Sequence, residues 1–437
     1  MRVRLEGKAQ EIMLDGPPLG RGGEASIYAV SGRSDVAAKI YHNPSDEHSA
    51  KLAAMLAALP VPPPQPGQHV TLAWPMSRLL EPPSSSPPTL GGDEGGGRVI
   101  GYLMPRLDQA HLIWEIYNPG LRREICPHFH HGLLLRTARN LAGVVHSLHE
   151  CGYVVGDLNE SNVLVTPQAS VTLIDVDSFQ VPGRDRLYRC RVGRAEYTPP
   201  ELQGVAFADV DRLPQHDAFA LSVLIFQLLM QGIHPFAGTC ISNGEPDSLA
   251  ARIAAGHWPY SWLRTGPIQP SPHAPPWFAL PPSVQELLRR CFEDAHEDPD
   301  LRPSASEWHN ALEEAELQLT ACLHNDQHVY PRQLDHCPWC SPSTASSPPR
   351  SVVHHAAVPE QKVERRRRRI VNDPLPPREF ATGVILAPQA PAAGGMELVL
   401  QAIGMALEQS SWLVWVAVAL IGAVVGVIYA LQHALPG

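Results

Sequence analysis

Apolar residues at Leu134, Ala138, Leu141, Val145 and Leu148 recur at steps of four, three, four and three, the period of one helix face. The run opens at Gly132 and stops at Gly152, a residue suited to a helix C-cap, so it predicts a long amphipathic helix. Residues 218–230 are apolar except for Ser222 and Gln227. A helix apolar on nearly every side is a buried one. Leu52, Met55, Leu56 and Leu59 predict a further helix over 45–59. Val36, Ala38 and Ile40 alternate with Ala37 and Lys39, a strand pattern over 35–41. Segments 71–80, 99–103, 163–165 and 171–174 also read as strands, and residues 1 to about 15 as an edge strand or lead-in. A Pro-rich stretch at 60–68 and a Pro/Ser then Gly stretch at 82–97 interrupt the pattern and predict irregular, exposed chain.

Near the C-terminus the pattern changes kind. No charged residue occurs from Ser411 through Gln432, and Trp412 to Leu431 is almost wholly apolar. Twenty such residues at about 1.5 Å rise span a hydrocarbon core of roughly 30 Å. Trp412, Trp415 and Tyr429 lie near the ends, where interfacial aromatics sit. The stretch predicts a single-pass C-terminal anchor over 411–432, preceded by a short juxtamembrane helix over 396–410. Residues 343–395, Ser/Pro/Ala-rich with an arginine run at 365–369, predict a disordered basic tether. Those arginines fit either contact with anionic lipid or a solvated basic stretch.

Composition narrows the classes. The 437 residues allow two or three domains, but 45 prolines remove part of that length from any packed core. A net charge of -10 gives no reason to expect nucleic-acid binding. Eight cysteines, of which only Cys322, Cys337 and Cys340 cluster, do not form a disulfide framework and fit a reducing compartment. The first eight residues contain no apolar signal region.

The chemistry concentrates in 154–165 and 171–177. Asp157 and Asn162 stand five residues apart, and Asp175 follows Asn162 by thirteen, each beside a short apolar run. Strand–loop–strand would hold these oxygen donors on a rigid hairpin, as phosphoryl transfer with Mg²⁺ requires. The bland alternative is three polar loop residues capping turns. The spacing resembles the catalytic loop and metal-binding segment of the protein kinase superfamily. The resemblance extends over 12–316. Leu19-Gly-Arg-Gly-Gly-Glu-Ala-Ser-Ile-Tyr28 resembles the Gly-rich loop, with Gly20 and Gly22 matching, Ala25 in place of the third glycine and Ile27 at the valine position. Val36-Ala-Ala-Lys-Ile40 is similar to the strand that carries the nucleotide-binding lysine.

That resemblance implies an α+β, bilobal kinase-like fold, with an N-lobe of about 12–105 and a C-lobe of about 106–316. It implies ATP and Mg²⁺ as cofactors and a protein, or the chain itself, as substrate. Asp157 would be the catalytic carboxylate, Asn162 and Asp175 the Mg²⁺ ligands, and Lys39 the phosphate ligand. Gly20, Gly22, Gly23, Ile27, Ala37 and Met104 would surround the nucleotide, with 101–106 as the hinge. Strands 71–80 and 99–103 would form a hairpin with 82–97 at its tip. Glu47, the only glutamate between Lys39 and Glu81, is either the lysine's partner on the following helix or a solvated helix-start acid. Asp217 would brace the catalytic loop, and Arg302 would pair with Glu201.

The departures matter. Val155-Gly156 precede Asp157 where kinases carry His-Arg, so no arginine awaits an activation-loop phosphate. Asn159 replaces the loop lysine, and Arg194 stands where Ser/Thr kinases carry a threonine. Asp175-Val-Asp177 replaces Asp-Phe-Gly, leaving Asp177 as a second metal ligand or only a strand-end acid. Two readings follow: an active Ser/Thr protein kinase that also phosphorylates itself, or a nucleotide-binding pseudokinase serving as a membrane-anchored scaffold.

Over 317–342, Cys322, His328, Cys337 and Cys340 form Cys-x5-His-x8-Cys-x2-Cys, a spacing that can close a tetrahedral structural zinc site. His324 or His336 could stand in as fourth ligand, and Cys337-Pro-Trp-Cys340 could instead be a redox pair. The 126–131 segment, Cys-Pro-His-Phe-His-His, reads as a polar loop before a helix, and His146 and His149 as ordinary helix residues. Catalytic residues need ATP, so the kinase-like region is expected on the cytoplasmic side of the membrane.

Overall fold

The computed structural model describes residues 1–340 except 9–10, 61–67, 83–96, 242–247, 265 and 326. The tether, the juxtamembrane helix and the anchor expected after 342 lie outside the described residues.

The N-terminal lobe is a closed antiparallel barrel of β1 (Arg2–Leu5), β2 (Glu11–Arg21), β3 (Ala25–Val30), β4 (Arg33–Tyr41), β5 (Ser77–Leu80) and β6 (Val99–Pro105), in the order β1-β2-β3-β4-β6-β5. β1 closes it: Val3 pairs with Ile12 on one side and Leu5 with Leu79 on the other. This lead-in segment is therefore integral to the lobe, because a strand bonded on both sides leaves no open edge. Val3, Leu14, Val36, Ala38, Ile40, Leu79 and Leu103 fill the interior. Helix α1 (Asp46–Ala57) packs outside, started by a capping box between Ser45 and His48. Leu52 and Met55 are its buried face.

The C-terminal lobe opens with β7 (His111–Leu112), α2 (Ile113–Tyr117) and α3 (Pro119–Ile125). Helix α4 (His131–Glu150) follows and buries Leu134, Ala138, Leu141, Val145 and Leu148, the stripe read from the sequence. β8 (Val163–Val165) and β9 (Val171–Leu173) form a sheet with β7. A short hairpin of β10 (Val181–Pro182) and β11 (Leu187–Tyr188) comes next. Helix α5 (Pro214–Leu229) buries every residue from His216 to Leu229, as its mostly apolar sequence from Ala218 onward predicts. Strands β12 (Thr239–Cys240) and β13 (Ile268–Gln269) pair across α6 (Leu249–Ala254). Helices α7 (Pro282–Phe292) and α8 (Ala305–Leu317) complete the core. The Trp308 indole donates to Ser222 Oγ at 3.0 Å inside that core, so the one hydroxyl on this apolar face of α5 is satisfied. A hairpin of β14 (Leu319–Ala321) and β15 (Val329–Pro331) carries the Cys/His cluster.

Candidate active site

Alternation along β4 sends Ala38 into the barrel and leaves Lys39 and Tyr41 on the face turned to the C-terminal lobe. Tyr102 on β6 lies opposite Lys39 in register. Gly101 beside it must be glycine, since a Cβ there would stand 2.0 Å from the Lys39 carbonyl oxygen. Lys39 Nζ donates to Asp175 Oδ1 and to Asp177 Oδ1, each at 2.5 Å. Tyr102 donates to Asp177 Oδ1 at 2.8 Å and Tyr41 to its Oδ2 at 2.9 Å. Burial alone would push the Lys39 ammonium down, but the two carboxylates overcome it and hold the group above its usual range. Burial would raise Asp177, yet Lys39 and the two hydroxyls bring it below the ordinary carboxylate value. Asp175 has left-handed backbone, φ 59 and ψ 33, which is uncommon for a residue with a side chain and clusters at functional sites. Its side chain is 40% exposed against 9% for Asp177, so Asp175 is the acid open to the cleft.

The loop that carries Asp157 is held from below. Asp217 at the start of α5 accepts from Val155 N at 2.7 Å, Gly156 N at 2.8 Å and His149 Nε2 at 2.9 Å. Asp217 therefore braces the loop, and His149 is part of that brace rather than an ordinary helix residue. Gly156 has φ 73, and a Cβ there would lie 2.6 Å from Cys190 Cβ. The loop departs from the kinase pattern at this residue because the buried Cys190 occupies the space. Asn159 Nδ2 donates to Asp157 Oδ1 at 2.8 Å, and Asn162 Nδ2 to the Asp157 carbonyl at 2.9 Å. Burial raises the Asp157 carboxyl and nearby Asp175 adds to it, while Asn159, Arg194 and Asn162 draw it back in part.

Among the predicted nucleotide residues, Gly20 and Ile27 pair across β2 and β3, and Gly22 N bonds Ala25 O at 2.9 Å to form the tip of that hairpin. A Cβ on Gly20 or Gly23 would meet nothing within 4 Å among the described residues, so internal packing does not require glycine there. Ala37 and Met104 are paired across β4 and β6 at the junction of the lobes. Glu47 is corrected: it is not the lysine's partner. Its Oε1 accepts from Arg186 at 3.1 Å, in the β10–β11 turn, and from Arg191 at 3.0 Å, just after β11, while Lys39 is already engaged by two aspartates.

The donor set suits the cofactors. Asn162 uses its amide nitrogen on Asp157, which leaves its oxygen for a hard cation, and Asp175 keeps an oxygen free of Lys39. Asp177 differs from them: its side-chain hydrogen bonds among the described residues are with Lys39, Tyr41 and Tyr102. In the C-terminal hairpin, Cys322, His328, Cys337 and Cys340 bring one ligand atom each to within 4.8 Å of the others. Cys322 and Cys340 sulfurs are 3.5 Å apart, and His328 Nδ1 is 3.3 Å from Cys340 and 3.7 Å from Cys337. Tetrahedral zinc with Zn–S of about 2.3 Å demands edges of roughly 3.7 Å, so the set fits that ion.

Further along, Arg302 meets Glu201 through two bonds of 2.6 and 2.7 Å, and its side chain is wholly buried. Arg194 donates to Ser161 Oγ at 2.9 Å, on the catalytic loop. Tyr41, Tyr102, Asp177 and His149 are the site residues that sequence reasoning missed or left open. Two had a local signal: Tyr41, two residues after Lys39 on the same strand face, and Asp177, in the Asp175-Val-Asp177 pattern.

Residues 102–312 match the family model for the protein kinase domain. The chain is 35% identical over 347 residues to Protein kinase YegI of Escherichia coli O157:H7, covering 78% of this chain and 50% of that one. Against Protein kinase YegI of Escherichia coli strain K12 it is 35% identical over 337 residues, covering 76% of this chain and 49% of that one. The chain thus spans about half the length of these curated relatives. A solved structure, "ROP18 kinase domain in complex with AMP-PNP and sucrose", superposes with a TM-score of 0.44 at 18% identity, over 72% of this chain and 82% of that one.

Proposed function

We propose that the protein kinase domain carried by this chain is a working ATP- and Mg²⁺-dependent kinase that phosphorylates serine or threonine hydroxyls, on a partner or on itself. The convergence of Lys39, Asp157, Asn162 and Asp175 on one cleft carries the reading. Bound Mg²⁺ would be held by Asn162 and Asp175 and would screen the phosphate charge. Lys39 positions the phosphates. The Asp157 carboxylate, kept in place by Asn159 and Asn162, orients the attacking hydroxyl and accepts its proton. The scaffold reading draws on Asn159, which contributes no cation to the loop. It draws too on Arg194 in place of the family's threonine, a cation bonded to Ser161 and 3.8 Å from Glu160.

Incubation of the full chain with labelled ATP and Mg²⁺ tests this. Label should enter the chain or a generic acceptor protein, falling at least 100-fold in Asp157→Ala and in Asp175→Ala. No transfer by the unsubstituted chain to itself or to acceptors would leave the scaffold reading standing. Acid hydrolysis of the labelled product should yield phosphoserine or phosphothreonine.

Two finer features belong to the same proposal. The Cys322, His328, Cys337 and Cys340 set is read as a structural zinc site. The uncharged stretch 411–432, with its flanking aromatics, supports a membrane tether with the kinase domain on the ATP-containing side. The full chain should resist alkaline carbonate extraction from membranes, and a chain cut before 411 should be released. Release of both would remove the tether.

A further inference from the structure

Helix α1 meets the cleft with the wrong charge for its usual partner. Glu47 and Lys51 stand one turn apart on it, hence on one face. Glu47 is spent on Arg186 and Arg191. Lys51, the next residue inward, lies partly buried among Cys190, Asp177, Glu47 and Asp175, and burial pushes its ammonium down. Beside the cleft carboxylates α1 therefore carries a base and not an acid.

The acid comes instead from the segment after β9. Asp177 is fixed at both oxygens by groups of the N-terminal barrel: Lys39 and Tyr41 from β4, and Tyr102 from β6. Three donors hold this carboxylate, which is 9% exposed, against the 40% of Asp175 on the open side of the cleft. Lys39 has three N–H donors; Asp177 and Asp175 take two, and one remains for a phosphate oxygen.

We propose that Asp177 is the positioning residue for Lys39, replacing an acid on α1, so that the nucleotide site is assembled by the barrel and the 175–177 segment without α1 having to move inward. The inference rests on the nucleotide-binding reading above. It makes the site constitutively formed: the donors that orient Asp177 belong to a closed barrel, and none belongs to α1. Charge has been exchanged between two positions, acid at Asp177 and base at Lys51, where kinases in general place the acid on the helix.

The exchange can be reversed. In the full chain, the KM for ATP and the affinity for a fluorescent ATP analogue are measured for Asp177→Asn, Lys51→Glu and the double variant. Asp177→Asn should raise KM and Kd for the nucleotide at least tenfold, with a smaller effect on kcat at saturating ATP. The double variant should recover part of that loss, since it sets a carboxylate on α1 beside the Asp175–Asp177 segment that holds Lys39. A residue that merely neutralised buried charge would change the melting temperature and not produce this split. If Asp177→Asn does not fold, the paired Tyr41→Phe and Tyr102→Phe variant loosens the carboxylate while keeping its charge, and should raise KM likewise. Nucleotide affinity within twofold of the unsubstituted chain in a folded Asp177→Asn or in the tyrosine pair, or no recovery in the double variant, overturns the proposal. An unsubstituted chain that binds no ATP overturns the kinase reading itself, a separate outcome.

Discussion

His234 illustrates how one residue ties pH to stability. Its Nε2 donates to the Glu196 carbonyl at 2.9 Å and its Nδ1 accepts from Phe236 N at 3.2 Å, a pattern only the neutral ring satisfies. Burial pushes its pKa down from 6.5 to about 4. Between those values the unfolded chain takes up a proton here and the folded chain does not. Stability from this residue is therefore complete above pH 6.5 and is lost as pH falls toward 4, by about 3 kcal/mol at most. Urea unfolding at pH 7 and pH 4.5 should show that loss, and His234→Gln should show a smaller one. An equal loss in both proteins would remove His234 from the account. At this scale the legible residues were those in short motifs. Lys39, Asp157, Asn162 and Asp175 each sit beside an apolar run whose period placed them on a strand or a loop end. The partner of Lys39 was not legible, because Asp177 is 138 residues away and nothing in the local pattern distinguishes it from Glu47.

Among the elements, α4 and α5 matched their periodicity, since a stripe of 3.6 and a mostly apolar run each have one comfortable packing. The Cys/His hairpin was legible by spacing alone. Its docking was not: Trp339, between the last two cysteines, donates to Val329 O at 3.1 Å and packs its ring 4.9 Å from that of His131 at the start of α4. The 126–130 segment is the loop before α4 that its sequence predicts, and His131, at the start of the helix, meets the hairpin. Zinc should accordingly support the first turn of α4. One zinc per chain is expected by native mass spectrometry, and stripping it with a strong chelator should lower the melting temperature by several degrees. Cys337→Ser should lose the metal and show the same shift. A chain that carries no zinc and melts identically after chelation would exclude the site.

For the whole molecule, the sequence by itself determined helices α1, α4 and α5 and strands β4, β6, β8 and β9, while the two-lobed α+β plan and the cleft residues Lys39, Asp157, Asn162 and Asp175 came through the family resemblance. The helices and strands follow from hydrophobic period, which acts over a few residues. Bracing by Asp217 and the Arg302–Glu201 pair were also readable, through the family resemblance that carried them. Tertiary structure alone decided three matters. Residues 2–5 close the barrel, because the free edges of β2 and β5 meet only after the lobe has folded. Glycine stands at 156 because Cys190, from a distant segment, fills the space a side chain would need. Lys39 takes Asp177 and not Glu47, because a buried ammonium is stabilised by whichever carboxylate the packed lobes bring within hydrogen-bond reach. That choice depends on three-dimensional distance, which sequence separation does not encode.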